Sequence, residues 1–100
     1  MIIFTISPVQ AKLERLVIES LPPNWQVWTR KVNSDYQFLI CGHEELFERR
    51  SLAVIIIPND RKRVDFSLDR SATPSQNSLI QEAIIEIRHR LPLIDFTKEK

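Results

Sequence analysis

Apolar residues recur every three or four positions in two segments of this chain, and this spacing predicts two amphipathic helices. The first segment follows Ser7 and Pro8, and its apolar positions are Val9, Leu13, Leu16, Val17 and Leu21. The second follows Thr73 and Pro74, and its apolar positions are Leu79, Ile80, Ala83, Ile84, Ile87 and Leu91. At both starts a hydroxyl residue can cap the helix, and the proline takes the first helical position, where its missing N–H is harmless. Prolines after each segment predict the helix ends.

Between these helices the hydrophobic period changes to two, and β-branched and aromatic residues dominate, which predicts strands. We place four strands near residues 25–32, 36–41, 52–57 and 64–68. The polar residues of 33–35 and 58–62 predict the turns between neighbouring strands. Two further elements complete the prediction, an edge strand at residues 2–6 and a short polar helix or loop at residues 43–50.

This order of elements predicts a single α+β domain over residues 1–96, followed by a polar tail at residues 97–100. The domain consists of an N-terminal helix, a mostly antiparallel sheet of four to five strands and a C-terminal helix. The strand at 64–68 alternates apolar and polar residues, as expected of a strand with one wet face. The strands at 36–41 and 52–57 are apolar at both parities, so both faces of the middle of the sheet need a cover. Either one helix lies on each face, or both helices lie on one face and a second subunit covers the other.

Composition excludes several classes of function. The chain has 100 residues, with Gly42 as the only glycine, Cys41 as the only cysteine, and two histidines. Glycine-rich phosphate loops need several glycines, and one cysteine with two histidines cannot complete a four-ligand zinc site or an internal disulfide. We therefore expect no metal and no cofactor, and we expect a reducing compartment. The apolar start is too short for a signal peptide or a membrane span, which predicts a cytoplasmic protein with no membrane contact.

Charge is polarised along the chain although the net charge is only +1. Residues 49–70 carry six basic and three acidic side chains, whereas residues 25–48 carry two basic and four acidic ones. Arg61, Lys62 and Arg63 fall in one turn, called the basic turn below. A basic turn can lie along phosphates, which makes a nucleic-acid-binding accessory protein an alternative function. Against this, the pI of about 7.9 is below the value of about 9 typical of such proteins, and charged turns are commonly only solvated.

The basic residues near the end of the second helix have a simpler interpretation. Arg88 and Arg90 project about 160° apart on a helix, so they do not form one patch. Basic side chains in a last turn stabilise the helix through its macrodipole.

Three apolar residues are candidates for contact with a partner. Trp25 and Trp28 lie at opposite parities of the first strand, so at most one of them fits easily in the core. Ile85 projects roughly 100° outside the apolar stripe of its helix. Together with strands that are apolar on both faces, these residues predict a protein partner, most simply a second copy in a homodimer.

Two residue pairs are candidates for catalysis. Cys41 and His43 lie close in sequence but lack a third ligand or an orienting acid. Asp60 and Asp65 resemble the acid-strand-acid pattern of metal-dependent nucleases, but Ser67 stands where that family has a lysine, so stabilisation of the attacking water is lacking. A nuclease-like enzyme is therefore the second alternative, and we assign no catalytic residue. The interpretation we adopt is a small non-catalytic interaction or regulatory module that acts through protein contacts and self-associates.

Overall fold

A computed structural model of the protein describes residues 7–42 and 51–96. Within these ranges the chain forms the predicted α+β layout, a helix, a four-stranded antiparallel sheet and a second helix. A short 3₁₀ turn follows the second helix. The elements in chain order are α1 (Pro8–Ser20), β1 (Gln26–Val32), β2 (Asp35–Cys41), β3 (Ala53–Ile57), β4 (Asp65–Leu68), α2 (Pro74–Arg90) and the 3₁₀ turn (Leu91–Leu93).

The two helix starts are capped as their sequences predict. The backbone N–H of Gln10 donates to Ser7 Oγ at 3.1 Å, with Pro8 at the first position. At α2 the bond is reciprocal: Gln76 N–H donates to Thr73 Oγ1 at 3.2 Å, and Thr73 N–H donates to Gln76 Oε1 at 2.8 Å. These bonds satisfy backbone donors that have no partner within the first turn of a helix.

The sheet is a meander in the order β1-β2-β3-β4, with every neighbouring pair antiparallel. The turn from β1 to β2 contains Asn33 and Ser34, both with positive φ (50° and 73°). Two consecutive positive φ angles are the geometry of a two-residue hairpin turn whose twist suits antiparallel strands. Asp35, predicted to lie in this turn, instead begins β2 and pairs with Val32.

Both helices pack on the same face of the sheet. Thr29 Oγ1 in β1 donates to Glu14 Oε2 in α1, and the guanidinium of Arg88 in α2 lies 5.8 Å from the ring centroid of Phe66 in β4. The register places Thr29 and Phe66 in one row on one side of the sheet. The largest fully buried side chains between sheet and helices are Leu13, Leu16, Val17, Phe38, Ile40, Leu52, Ile55, Ile57, Ile80, Ile84 and Ile87. Of the two arrangements left open by the sequence, the described helices adopt the one-sided arrangement.

Some predictions are corrected or fall outside the described ranges. The sequence places Leu79 in the apolar stripe of α2, but in the structure Leu79 lies at the margin of that stripe and is 38% exposed. The predicted strand at residues 2–6, the short helix or loop at 43–50 and the tail at 97–100 lie outside the described residues. No helix within residues 7–42 and 51–96 has the length and hydropathy needed to cross a membrane.

Candidate interaction surfaces

The face of the sheet opposite α1 and α2 has an apolar centre. It is formed by the strand residues that alternate with the core positions, and we call it the open sheet face. Leu39, Val54 and Ile56 are only partly buried there, and Trp28 is 59% exposed. Because α1 and α2 contact only the other side of the sheet, they do not cover these residues. Contiguous apolar residues that are exposed or only partly buried, and that are edged by polar ones, are typical of contact surfaces.

Two rows of residues cross the open sheet face from β1 to β4. The antiparallel register defines the first row as Trp28, Leu39, Val54 and Ser67, and the second row as Arg30, Gln37, Ile56 and Asp65. Arg30 Nε donates to Gln37 Oε1 at 2.8 Å, which holds the guanidinium at the β1 edge. At the β4 edge, Asp65 Oδ2 accepts from Arg63 Nε at 3.0 Å. The face therefore has an apolar centre, with a positive side chain at the β1 edge and an acidic side chain that is paired with Arg63 at the β4 edge.

The structure does not bring the three predicted partner-binding residues together. Trp28 lies on the open sheet face, whereas Trp25 is partly buried and packs against the core. Ile85 is 67% exposed and lies on the side of α2 turned away from its buried residues, which are Ile80, Ala83, Ile84 and Ile87. Since α2 packs on the other side of the sheet, Ile85 and Trp28 belong to opposite sides of the molecule. A role of any of the three in binding stays a prediction.

A second candidate surface surrounds the basic turn. Arg61, Lys62 and Arg63 line an open pocket of about 600 Å³ together with Val64, Asp65, Arg88, Leu91 and Pro92. We call it the basic pocket. It lies where the β3–β4 turn meets the end of α2, so the basic turn is one wall of a concave site. Lys62 is exposed in this wall.

Three arginines of the basic pocket are held by contacts within the chain. Arg61 has a positive φ of 58°, and its guanidinium carbon lies 4.6 Å from the ring centroid of Phe96. Arg88 donates to the carbonyl oxygen of Val64 at 2.7 and 3.3 Å. Arg63 pairs with Asp65 at 3.0 Å, and this hydrogen bond together with the charge of Asp65 raises the pKa of Arg63. Positive side chains with fixed positions can contact an anion at a smaller entropic cost than mobile ones.

Sequence reasoning missed Arg88 as a member of this pocket. The helical projection correctly predicts that Arg88 and Arg90 point in different directions. However, it gives both residues only a stabilising role at the end of the helix. In the structure Arg90 pairs with Glu19 of α1 at 2.8 Å, while Arg88 reaches the strand side of the pocket. No local signal joins Arg88 to a turn 25 residues earlier, because only the packing of α2 on the sheet brings them together.

The candidate catalytic residues have other partners or lie outside the described residues. Cys41 is buried, and His43 is outside the described ranges. Asp60 Oδ1 accepts from the backbone N–H of Lys62 at 3.1 Å, whereas Asp65 pairs with Arg63. In the part of the chain that the structure describes, no group of three or more His, Cys, Asp or Glu side chains could hold a metal ion.

Comparison with known proteins gives no match: no protein-family model, no curated protein and no solved structure is similar to this chain.

Proposed function

We propose that this protein is a non-catalytic interaction module that self-associates through the open sheet face. The observation that supports this proposal is the one-sided packing of α1 and α2. It leaves Trp28, Leu39, Val54 and Ile56 on the opposite side of a sheet whose central strands are apolar at both parities. Removing apolar side chains from water is a driving force for most protein–protein association. A contact on this face is therefore favourable without any active-site chemistry.

A second copy of this chain is the partner whose chemistry fits the face best. The second row of this face has the positive Arg30 at the β1 edge and the acidic Asp65, which is paired with Arg63, at the β4 edge, with apolar residues between the edges. A surface with both signs at opposite edges is complementary to itself, as a two-fold symmetric contact requires. A strongly acidic or strongly basic partner would find only half of this pattern complementary.

The size of the face predicts a weak, reversible dimer. Strands of four to seven residues give a sheet about 20 Å long, and four strands give a width of about 19 Å. The flat footprint is then roughly 400 Å² per copy. Side chains make the accessible surface larger than this footprint, so two copies approach the total of about 1,000 Å² that specific interfaces need. Interfaces at this lower limit of size are typical of weak, transient association.

Sedimentation of the full chain over a range of concentrations tests the proposal. We expect the wild-type protein to shift from monomer to dimer with increasing concentration, and Val54→Asp to remain monomeric because a charge at the centre of the face cannot be buried unpaired. Trp28→Ser is a milder second variant at an exposed position. Ile85→Asp is the matched control, since it adds the same charge to an exposed isoleucine on the other side of the molecule.

Three outcomes contradict the proposal. A wild-type protein that stays monomeric at every accessible concentration has no self-association. A Val54→Asp variant that still dimerises places the contact elsewhere. Loss of the dimer in Ile85→Asp alone places it on α2, as the sequence-based interpretation of Ile85 allows. Circular dichroism of each variant is the control that checks whether its fold is intact.

The basic pocket supports a second candidate function, the binding of nucleic-acid phosphates. The specific observation is that Arg88 of α2 joins Arg61, Lys62 and Arg63 in one concave surface, with Asp65 as its only acidic wall residue among those that line it. Each phosphate neutralised on duplex DNA lowers the logarithm of the binding constant by about 0.9 per tenfold increase in salt. Four basic side chains that each neutralise one phosphate therefore predict a slope of about −3.6.

Fluorescence anisotropy with short DNA and RNA probes at several salt concentrations tests this candidate. Lys62→Ala and Arg88→Met should weaken binding and flatten the salt dependence by about one unit each. Arg15→Gln is the matched control, because Arg15 is an exposed cation on α1 outside the pocket. Absence of binding at low salt, or binding that salt does not change, rejects the candidate.

A further inference from the structure

The two rows of the open sheet face are asymmetric from one edge to the other. The first row begins with the large Trp28 on β1 and ends with the small Ser67 on β4. The second row begins with the positive Arg30 and ends with the acidic Asp65, whose carboxylate is also paired with Arg63 of the same chain. Both gradients run between the same two edges. This difference between the two edges restricts the orientations in which two copies can face each other.

Two identical faces can meet face to face only if the two-fold axis lies in the plane between them, because the rotation must turn one face to oppose the other. One choice of axis runs parallel to the strands, between β2 and β3. This rotation exchanges the edges, so β1 lies over the partner's β4 and β2 lies over the partner's β3. The other simple choice runs across the strands and places each strand over its own equivalent.

The axis parallel to the strands matches both gradients. Trp28 then faces the partner's Ser67, so a large ring meets a small side chain, and Leu39 faces the partner's Val54. Arg30 faces the partner's Asp65, and the symmetry repeats this opposite-charge contact at the other edge. The axis across the strands would instead place the two Arg30 side chains together along one edge. Like charges so placed oppose association.

The geometry of packed sheets keeps these pairs within reach. Aligned sheets pack about 10 Å apart with a rotation of about 30° between their strands. The outer strands lie about 7 Å from an axis between β2 and β3. A 30° rotation then displaces facing edge residues by about 4 Å along the strands. An arginine side chain is long enough to cover this offset. The guanidinium of Arg30 still has free N–H groups, because its Nε makes the bond to Gln37.

We infer that the partner on the open sheet face is a second copy rotated about an axis parallel to the strands, with β1 of each copy over β4 of the other. The inference rests on the proposed function and adds the arrangement of the two copies. Its pairs are Arg30 with the partner's Asp65 and Trp28 with the partner's Ser67.

A charge-exchange experiment on the full chain tests this arrangement. Arg30→Asp alone places an aspartate opposite the partner's Asp65 at both edges, and Asp65→Arg alone places an arginine opposite the partner's Arg30. We expect each variant alone to raise the dissociation constant of its dimer by about tenfold or more. An equimolar mixture of the two variants should recover dimerisation as a heterodimer, because both of its edges again pair opposite charges. The double variant should recover it as a homodimer.

Sedimentation and native mass spectrometry of the separate and mixed variants provide the measurement. Both residues are exposed, and circular dichroism of each variant checks its fold. Arg30→Glu with Asp65→Lys repeats the test if a first variant misfolds. Ser67→Trp is an independent size test, since a second large ring opposite Trp28 should weaken the dimer about as strongly as either charge variant.

The outcomes separate this inference from the proposed function. If the separate charge variants dimerise like the wild type, or if mixing does not restore a weakened dimer, the axis parallel to the strands is wrong. In that case loss of the dimer in Val54→Asp still supports the use of the face. If the wild type is monomeric, or if Val54→Asp dimerises normally, the proposed function is wrong and the arrangement is wrong with it.

Discussion

Ile55 and Ile56 are neighbours in β3 whose side chains lie on opposite faces of the sheet, and they offer the sharpest test of one-sided packing. Ile55 is fully buried in the core, whereas Ile56 is partly exposed on the open sheet face. Ile55→Ala removes buried methyl and methylene groups and leaves a cavity, which costs about 3 to 4 kcal/mol. Ile56→Ala should cost about 1 kcal/mol or less in the monomer, from partial burial and a lower strand propensity.

Thermal and urea unfolding, followed by circular dichroism at low protein concentration, measures this contrast. In a domain of this size each kcal/mol shifts Tm by about 4 to 8 °C. Ile55→Ala should therefore lower Tm by more than about 12 °C, and Ile56→Ala by about 8 °C or less. Leu93→Ala is the control for a leucine that is 76% exposed, and its change should stay within about 0.5 kcal/mol.

Repeating the unfolding measurement at several protein concentrations also tests for the dimer. A dimer that forms on the open sheet face stabilises the native state by mass action, so the wild-type Tm should rise with concentration. Ile56→Ala should lose part of this rise, while Ile55→Ala should keep it if the variant folds. Equal destabilisation by the two substitutions at the lowest concentration would contradict one-sided packing, because Ile56 would then be covered within a single chain.

Three further predictions concern local elements. Thr73→Ala removes the acceptor for the Gln76 N–H and should lower the unfolding free energy by about 1 kcal/mol in urea titrations; no change would mean that the cap contributes nothing. Ser34→Gly should raise the unfolding free energy by about 0.5 to 1 kcal/mol, because glycine adopts the φ of 73° without steric cost, and a loss would contradict the turn geometry. Glu19→Gln breaks the exposed ion pair with Arg90 and should change stability by less than about 0.5 kcal/mol at any salt concentration.

Local sequence signals predicted most of the fold because their causes are local. A hydroxyl residue before proline can cap a helix with atoms three residues away, and both predicted helix starts, at Ser7 and Thr73, agree with the structure. The alternation of side chains along a strand is a property of the backbone, so the predicted strands differ from the observed ones by about one residue at their ends. Leu79 is more exposed than predicted because it lies at the margin of the apolar stripe of α2, where burial depends on which elements pack beside the helix.

Local patterns in the sequence specify which segments become helices and strands, and they show that the central strands have two apolar faces. They do not specify on which face the helices lie, since an amphipathic helix can pack on either side of such a sheet. The packing of the folded chain places α1 and α2 on one face, Arg88 beside the basic turn, and Arg30 and Asp65 at opposite ends of one row. Those relations depend on register and packing between residues distant in sequence, which no local pattern encodes.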